Sequence, residues 1–184
     1  QKRLIDALEI TQLRAVIGGS MGGMQVLEWA VMYPDMVRAI VPIAIGARHS
    51  AWAIGLSEVA RRAIMSDPVW DNGNYPVGTQ PEVGLGLARA IAMVSYRSYY
   101  SFEQKFGRGR NSMSTSLLGS SFEISSYLAY HGVKLVERFD ANTYLFLTRA
   151  MDEYDIADGR DTLRAVLGTI RAVALVMGID SDVL

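Results

Sequence analysis

The chain has 184 residues, half of them apolar, and its 18 Lys and Arg nearly offset its 19 Asp and Glu. That length buries a full core without disulfide or metal staples, and the balanced charge excludes the basic stretches that hold nucleic acid or an anionic membrane. The absence of cysteine removes disulfides, thiolate catalysis and cysteine-ligated zinc, and leaves His49 and His131 as the imidazoles of the chain.

No apolar run reaches the roughly 18 residues that span a bilayer, and the start lacks the charged-then-apolar order of a signal peptide. A cytoplasmic chain acting on a small neutral or zwitterionic substrate, with no metal, is the expectation. The chain opens on the amphipathic stretch 1–9 without an initiator Met and stops at Leu184 just after a strand-like run. Both ends are therefore expected to be cuts in a longer protein.

Residues 14–18 form an apolar run too short for a helix. It leads through a Gly-rich turn into 24–33, where Met24, Leu27 and Val31 recur at helical spacing until Pro34. Residues 37–45 are a second apolar, β-branched run, and strand, helix, strand at this spacing predicts parallel pairing with a crossover helix. A third strand is expected only at 171–178. Between them lie helical patterns at 50–64, 82–96, 121–130 and 141–154, punctuated by loops such as Asp67-Pro68 and the stretch from Asp71 to Pro76. This texture predicts an α/β core of residues 1–60 and 161–184 carrying a helical insertion, 61–160, laid over the sheet as a lid.

Gly18-Gly19-Ser20-Met21-Gly22 has the Gly-x-Ser-x-Gly form of a nucleophile elbow. In that bend the serine hydroxyl is lifted to the C-terminal edge of a sheet, and the following helix points free N–H groups at a developing oxyanion, Met21 N–H among them. A Gly-rich turn that binds phosphate, or nothing, is the alternative. A serine nucleophile needs a base oriented by an acid, in the chain order Ser, acid, His. Asp182, after the third strand, fits the acid's place; Asp180 competes, and a helix-capping or solvated loop acid is the other reading. Both histidines precede these acids. His49 follows the second strand and His131 is placed at a helix end, so each reads as a polar loop residue, and the base is expected beyond Leu184.

Arg89 is the one charge within the apolar segment 83–94, and Tyr96 lies two helical turns further on the same face. Together they suit a substrate carboxylate; an internal ion pair for Arg89 is the equal alternative. The string Lys105, Arg108, Arg110 suits either the phosphates of a coenzyme A donor or a solvated surface.

With these residues in place, the chain resembles the homoserine O-acetyltransferase family, and the similarity runs along essentially its whole length. The segments that carry it are Gly18-Gly19-Ser20-Met21-Gly22-Gly23-Met24-Gln25 with Leu27-Glu28-Trp29, His49-Ser50-Ala51-Trp52, Asp67-Pro68, Tyr96-Arg97-Ser98, Phe106-Gly107-Arg108, Arg138-Phe139-Asp140-Ala141-Asn142 with Tyr144-Leu145, and Ser181-Asp182 with Leu184. The resemblance implies an α/β-hydrolase fold with a partial parallel sheet and a helical lid. It implies Ser20 as nucleophile, Asp182 as triad acid, and Arg89 and Tyr96 as contacts to the amino-acid substrate. It also implies homoserine and acetyl-CoA as substrates, no bound cofactor, a place in methionine biosynthesis, and a homodimer. The family's histidine follows the Ser-Asp motif and its other oxyanion donor precedes Gln1, so this piece alone is expected to be inactive. Ala60-Arg61-Arg62 departs from the glutamine-containing form of the family. That keeps succinyl transfer, a serine acceptor, and an esterase of the same fold as alternatives.

Overall fold

A computed structural model describes residues 1–110 and 122–184. It divides into two compact units: Gln1–His49 with Glu153–Asp180, and Ser50–Asp152 with Ser181–Leu184. The division falls at 49/50 and 152/153, whereas the sequence reading places it at 60/61 and 160/161; one helix, α3 (Ala51–Met65), runs unbroken through position 60.

The first unit is built on three parallel strands in the order β1 (Val16–Gly19), β2 (Ala39–Ile43) and β3 (Val173–Ala174). A short helix, α1 (Lys2–Ala7), precedes β1; Val16 pairs with Ile40 and Gly19 with Ile43, and α2 (Met21–Met32) makes the crossover between these strands. Its Val26, Leu27, Trp29 and Ala30 pack with Val37, Ile40, Ile156 and Val166 to form the core. Burying large side chains of this kind contributes about 1.5–3 kcal/mol each. The return segment is pinned to α2 by Arg160, whose two terminal nitrogens meet the Glu28 carboxylate at 3.0 and 2.6 Å.

The third strand is shorter than the expected 171–178, and Pro42 is the reason. Its neighbours complete a parallel ladder: Val173 N–H donates to Arg38 O, Leu175 N–H to Ile40 O, Met177 N–H to Pro42 O and Ala44 N–H to Met177 O. The missing rung is the N–H of residue 42, which a proline lacks. Regular pairing therefore lapses after Ala174, although the chain keeps its direction as far as Met177.

The second unit is helical among its described residues. Its helices are α3, α4 (Glu82–Ser95), α5 (Tyr99–Lys105), α6 (Glu123–Val136) and α7 (Ala141–Asp152). Ser50 caps α3 by accepting Ala53 N–H, and Ser98 caps α5 by accepting Ser101 N–H. Ala60, Ile64, Leu85, Ala88, Leu135 and Ala141 form its core. α4 and α6 touch backbone to backbone: a Cβ on Gly132 would stand 2.9 Å from Gly86 O. Arg61 on α3 reaches Asp152 on α7 at 2.6 Å, with 13% and 8% of the two side chains exposed. The α6 pattern expected at 121–130 extends to Val136, while Ser121 lies outside the described residues. No helix among the described residues is long and apolar enough to cross a membrane.

Candidate active site

Ser20 stands between β1 and α2 at φ 52° and ψ −129°, a left-handed conformation that L-residues rarely adopt. Such backbone costs about 1–3 kcal/mol and persists only where its surroundings impose it. Here they do. Ser20 N–H donates to Ile43 O on the neighbouring strand at 3.0 Å, while Ser20 O accepts Gly23 N–H at 2.7 Å and Met24 N–H at 3.3 Å. The residue is exposed at the C-terminal rim of the sheet, and its side chain does not cap α2. Met21 N–H, at the start of α2, makes no hydrogen bond among the described residues.

The glycines around Ser20 divide the steric work differently from the motif's usual reading. A Cβ on Gly18 would lie 2.4 Å from Gly22 O, and one on Gly23 would lie 2.3 Å from Ile45 Cγ2; on Gly22 it would meet nothing within 4 Å. Gly18 and Gly23 are thus the positions where the strand and the helix come too close for a side chain. Ala44, at the end of β2, is a second non-glycine residue with positive φ (48°). Strain at the C-terminal ends of two adjacent strands marks this rim, and no sequence pattern announces Ala44.

Asp182 is exposed, and its Oδ1 accepts Leu184 N–H at 3.0 Å. It follows Met177, the last rung of the third strand, by five residues. Asp180 is exposed as well. Ser20 and Met21 belong to the first unit, and Asp182, Arg89 and Tyr96 to the second.

Arg89 and Tyr96 do come together: the guanidinium carbon lies 5.4 Å from the Tyr96 ring centroid. The alternative of an internal ion pair is not realised, because Arg89 has no carboxylate partner among the described residues. Two groups missed by the sequence reading stand close enough to feel its charge. Burial pushes the Tyr144 hydroxyl up to about 12, with Tyr96 adding to the rise and Arg89 opposing it. His131 sits inside α6, not at a helix end, and burial followed by Arg89, Arg97 and Lys105 holds its pKa below the ordinary histidine value. At neutral pH the phenol and the imidazole that feel the Arg89 charge are therefore both uncharged. That is a surrounding suited to an anionic ligand.

A cleft of about 360 Å³ in the second unit, between Gln80 and Arg138, holds none of these residues. Two of its polar side chains are occupied internally: Gln80 bonds Val136 O and Ala141 N–H, and Asp140 takes the Tyr75 and Thr143 hydroxyls. Among the described residues no group of His, Asp and Glu could hold a metal ion.

The family model described as the alpha/beta hydrolase fold matches residues 1–182. A homoserine O-acetyltransferase of Trichormus variabilis is 54% identical over 184 residues, covering all of this chain and 50% of the relative. Among solved structures, homoserine O-acetyltransferase from Bacillus anthracis superposes with a TM-score of 0.90 at 28% identity, over 100% of this chain and 50% of that one. Esterase E22 superposes at 0.85 and 29% identity, over 97% of this chain and 49% of that one. The chain spans about half the length of the curated relatives it matches.

Proposed function

This chain belongs to the α/β-hydrolase fold family, and on that premise we propose that the protein it comes from is a homoserine O-acetyltransferase, moving acetyl from acetyl-CoA to the homoserine hydroxyl through an acyl-serine. The observation that carries the reading is Ser20: an exposed hydroxyl on strained backbone, one residue before an unbonded helix N–H. Similarity to homoserine O-acetyltransferases along the full length of the chain supports the choice of reaction.

In this reading Ser20 Oγ attacks the thioester carbonyl, and Met21 N–H takes up charge on the oxygen. A donor so placed is worth roughly 10²–10³ in rate. The thiol of CoA leaves and acetyl stays on Ser20. Homoserine then enters with its carboxylate on Arg89 and Tyr96, and its hydroxyl attacks the acyl-serine. Asp182 orients the imidazole that moves the protons. Residues of the helical insertion serve as a lid that keeps water from the ester. The protein works in methionine biosynthesis, in the cytoplasm, as a homodimer, with no bound cofactor.

An esterase is the second reading, favoured by the likeness to esterase E22. Release of free CoA by the full-length protein separates the two. Sustained release, beyond the one equivalent that acylation of Ser20 frees, that requires homoserine and yields O-acetylhomoserine supports acetyl transfer; sustained release without an acceptor supports hydrolysis. Turnover with succinyl-CoA alone would move the donor from acetyl to succinyl.

A further inference from the structure

Cations gather on one aromatic ring of the second unit. Arg97, just past α4, donates its Nε–H to the Tyr127 hydroxyl at 2.9 Å, with its guanidinium 5.7 Å from the ring centroid. Lys105, the last residue of α5, brings Nζ to 5.1 Å from the same centroid and 5.3 Å from that of Phe106. Tyr127 in turn packs on Phe102, Phe106 and His131. Arg108 lies 5.5 Å from the Phe122 ring.

Arg97, Lys105 and Arg108 are exposed, and none has a carboxylate partner among the described residues. The acids on the same elements, Glu103 and Glu123, pair with none of the three. Two cations sharing one ring repel each other, and a ring face offsets only part of that repulsion. Their convergence is also felt by His131, whose protonation they oppose together with Arg89 after burial has done so. The surround is aromatic as well as basic: Tyr99, Tyr100 and Tyr130 are 80%, 73% and 58% exposed. Unpaired cations next to open aromatic faces match a ligand that carries phosphate beside a planar base.

We propose that Arg97 and Lys105 at Tyr127, with Arg108 beside them, receive the phosphate-bearing nucleotide end of the thioester donor. The identity of the ligand rests on the acyl-transfer reading above; the site itself rests on the geometry of the patch. The shared nucleotide makes the site indifferent to whether the acyl group is acetyl or succinyl.

The test compares two donors, acetyl-CoA and the N-acetylcysteamine thioester, which carries no phosphate, in the full-length protein and its R97Q/K105Q variant. KM for acetyl-CoA is expected to rise about tenfold or more in the variant, with kinetics on the short thioester unchanged, and the difference should shrink at high salt. Equal KM for acetyl-CoA in both proteins overturns the proposal, and so does an equal loss on the short thioester. If the unsubstituted protein uses neither donor, the acyl-transfer reading is what fails. The patch is then read by calorimetry with the nucleotide bisphosphate half of CoA. Binding that the variant loses upholds it; no binding, or binding no tighter than inorganic phosphate at the same ionic strength, overturns it.

Discussion

Adding one methyl group at Gly18 and one at Gly22 tests how the elbow is built. At Gly18 the new Cβ would stand 2.4 Å from Gly22 O and 2.5 Å from Gly22 C, both backbone atoms at the start of α2. Ordinary contact begins near 3.4 Å, so strand and helix must part by about 1 Å, and neither partner is a flexible side chain. Overpacking of this kind costs about 1–3 kcal/mol, and the rigidity of both partners puts Gly18→Ala at the upper end. At Gly22 the same methyl meets nothing within 4 Å. There Ala replaces Gly within a helix and should be neutral or stabilising by up to about 1 kcal/mol. Urea denaturation of the full-length variants at constant slope reads both values. A shift of about 1 Å at the reacting centre also predicts a loss of about 10²-fold in acyl-enzyme formation for Gly18→Ala. Equal stability of the two variants, or a larger loss at Gly22, would refute the packing argument.

The remaining predictions concern the second unit. Arg61→Met removes a charged partner of the mostly buried Asp152 carboxylate, and of Glu58, and should cost about 1–3 kcal/mol by thermal or urea unfolding, with part of it recovered in R61M/D152L. Arg89→Ala should raise KM for homoserine about ten- to a hundredfold, the loss expected of a charge-assisted contact, and leave the acetyl-CoA half-reaction nearly unchanged; equal losses in both would remove the carboxylate role. Burial works to raise the Asp140 carboxyl, but hydrogen bonds from the Tyr75 hydroxyl and from Thr143 outweigh it and hold the pKa below the ordinary value. A depressed acid stabilises the fold above its unfolded pKa, and that contribution is lost as pH falls through the folded one. Tyr75→Phe should therefore be less stable than the parent at neutral pH, with the gap narrowing in acid; a gap independent of pH would assign it to packing instead.

The strand, turn and helix around Ser20 were legible because apolar runs and glycines mark them. The true start of α2 at Met21 was not, since Gly22 and Gly23 are poor helix formers and hide the first turn from a periodicity search. The break after Ala174 depends on Pro42 in the adjacent strand β2, far away in sequence, and becomes readable only once the register is known. α5 went unseen because Tyr99-Tyr100-Ser101-Phe102 offers no apolar-polar alternation; the Ser98 cap was its one local signal. The pairing of Arg89 with Tyr96 followed from helical spacing alone. The approach of His131 and Tyr144 to Arg89 did not, because they arrive on α6 and α7 by tertiary packing.

Mass analysis of the full-length protein quenched during reaction with acetyl-CoA puts the greatest weight on a single atom, Ser20 Oγ. An acetyl group on the peptide containing Ser20, discharged by added homoserine and absent from Ser20→Ala, is the result expected of an acyl-serine route. A burst of free CoA that survives Ser20→Ala, or acetyl found on another residue, would contradict it.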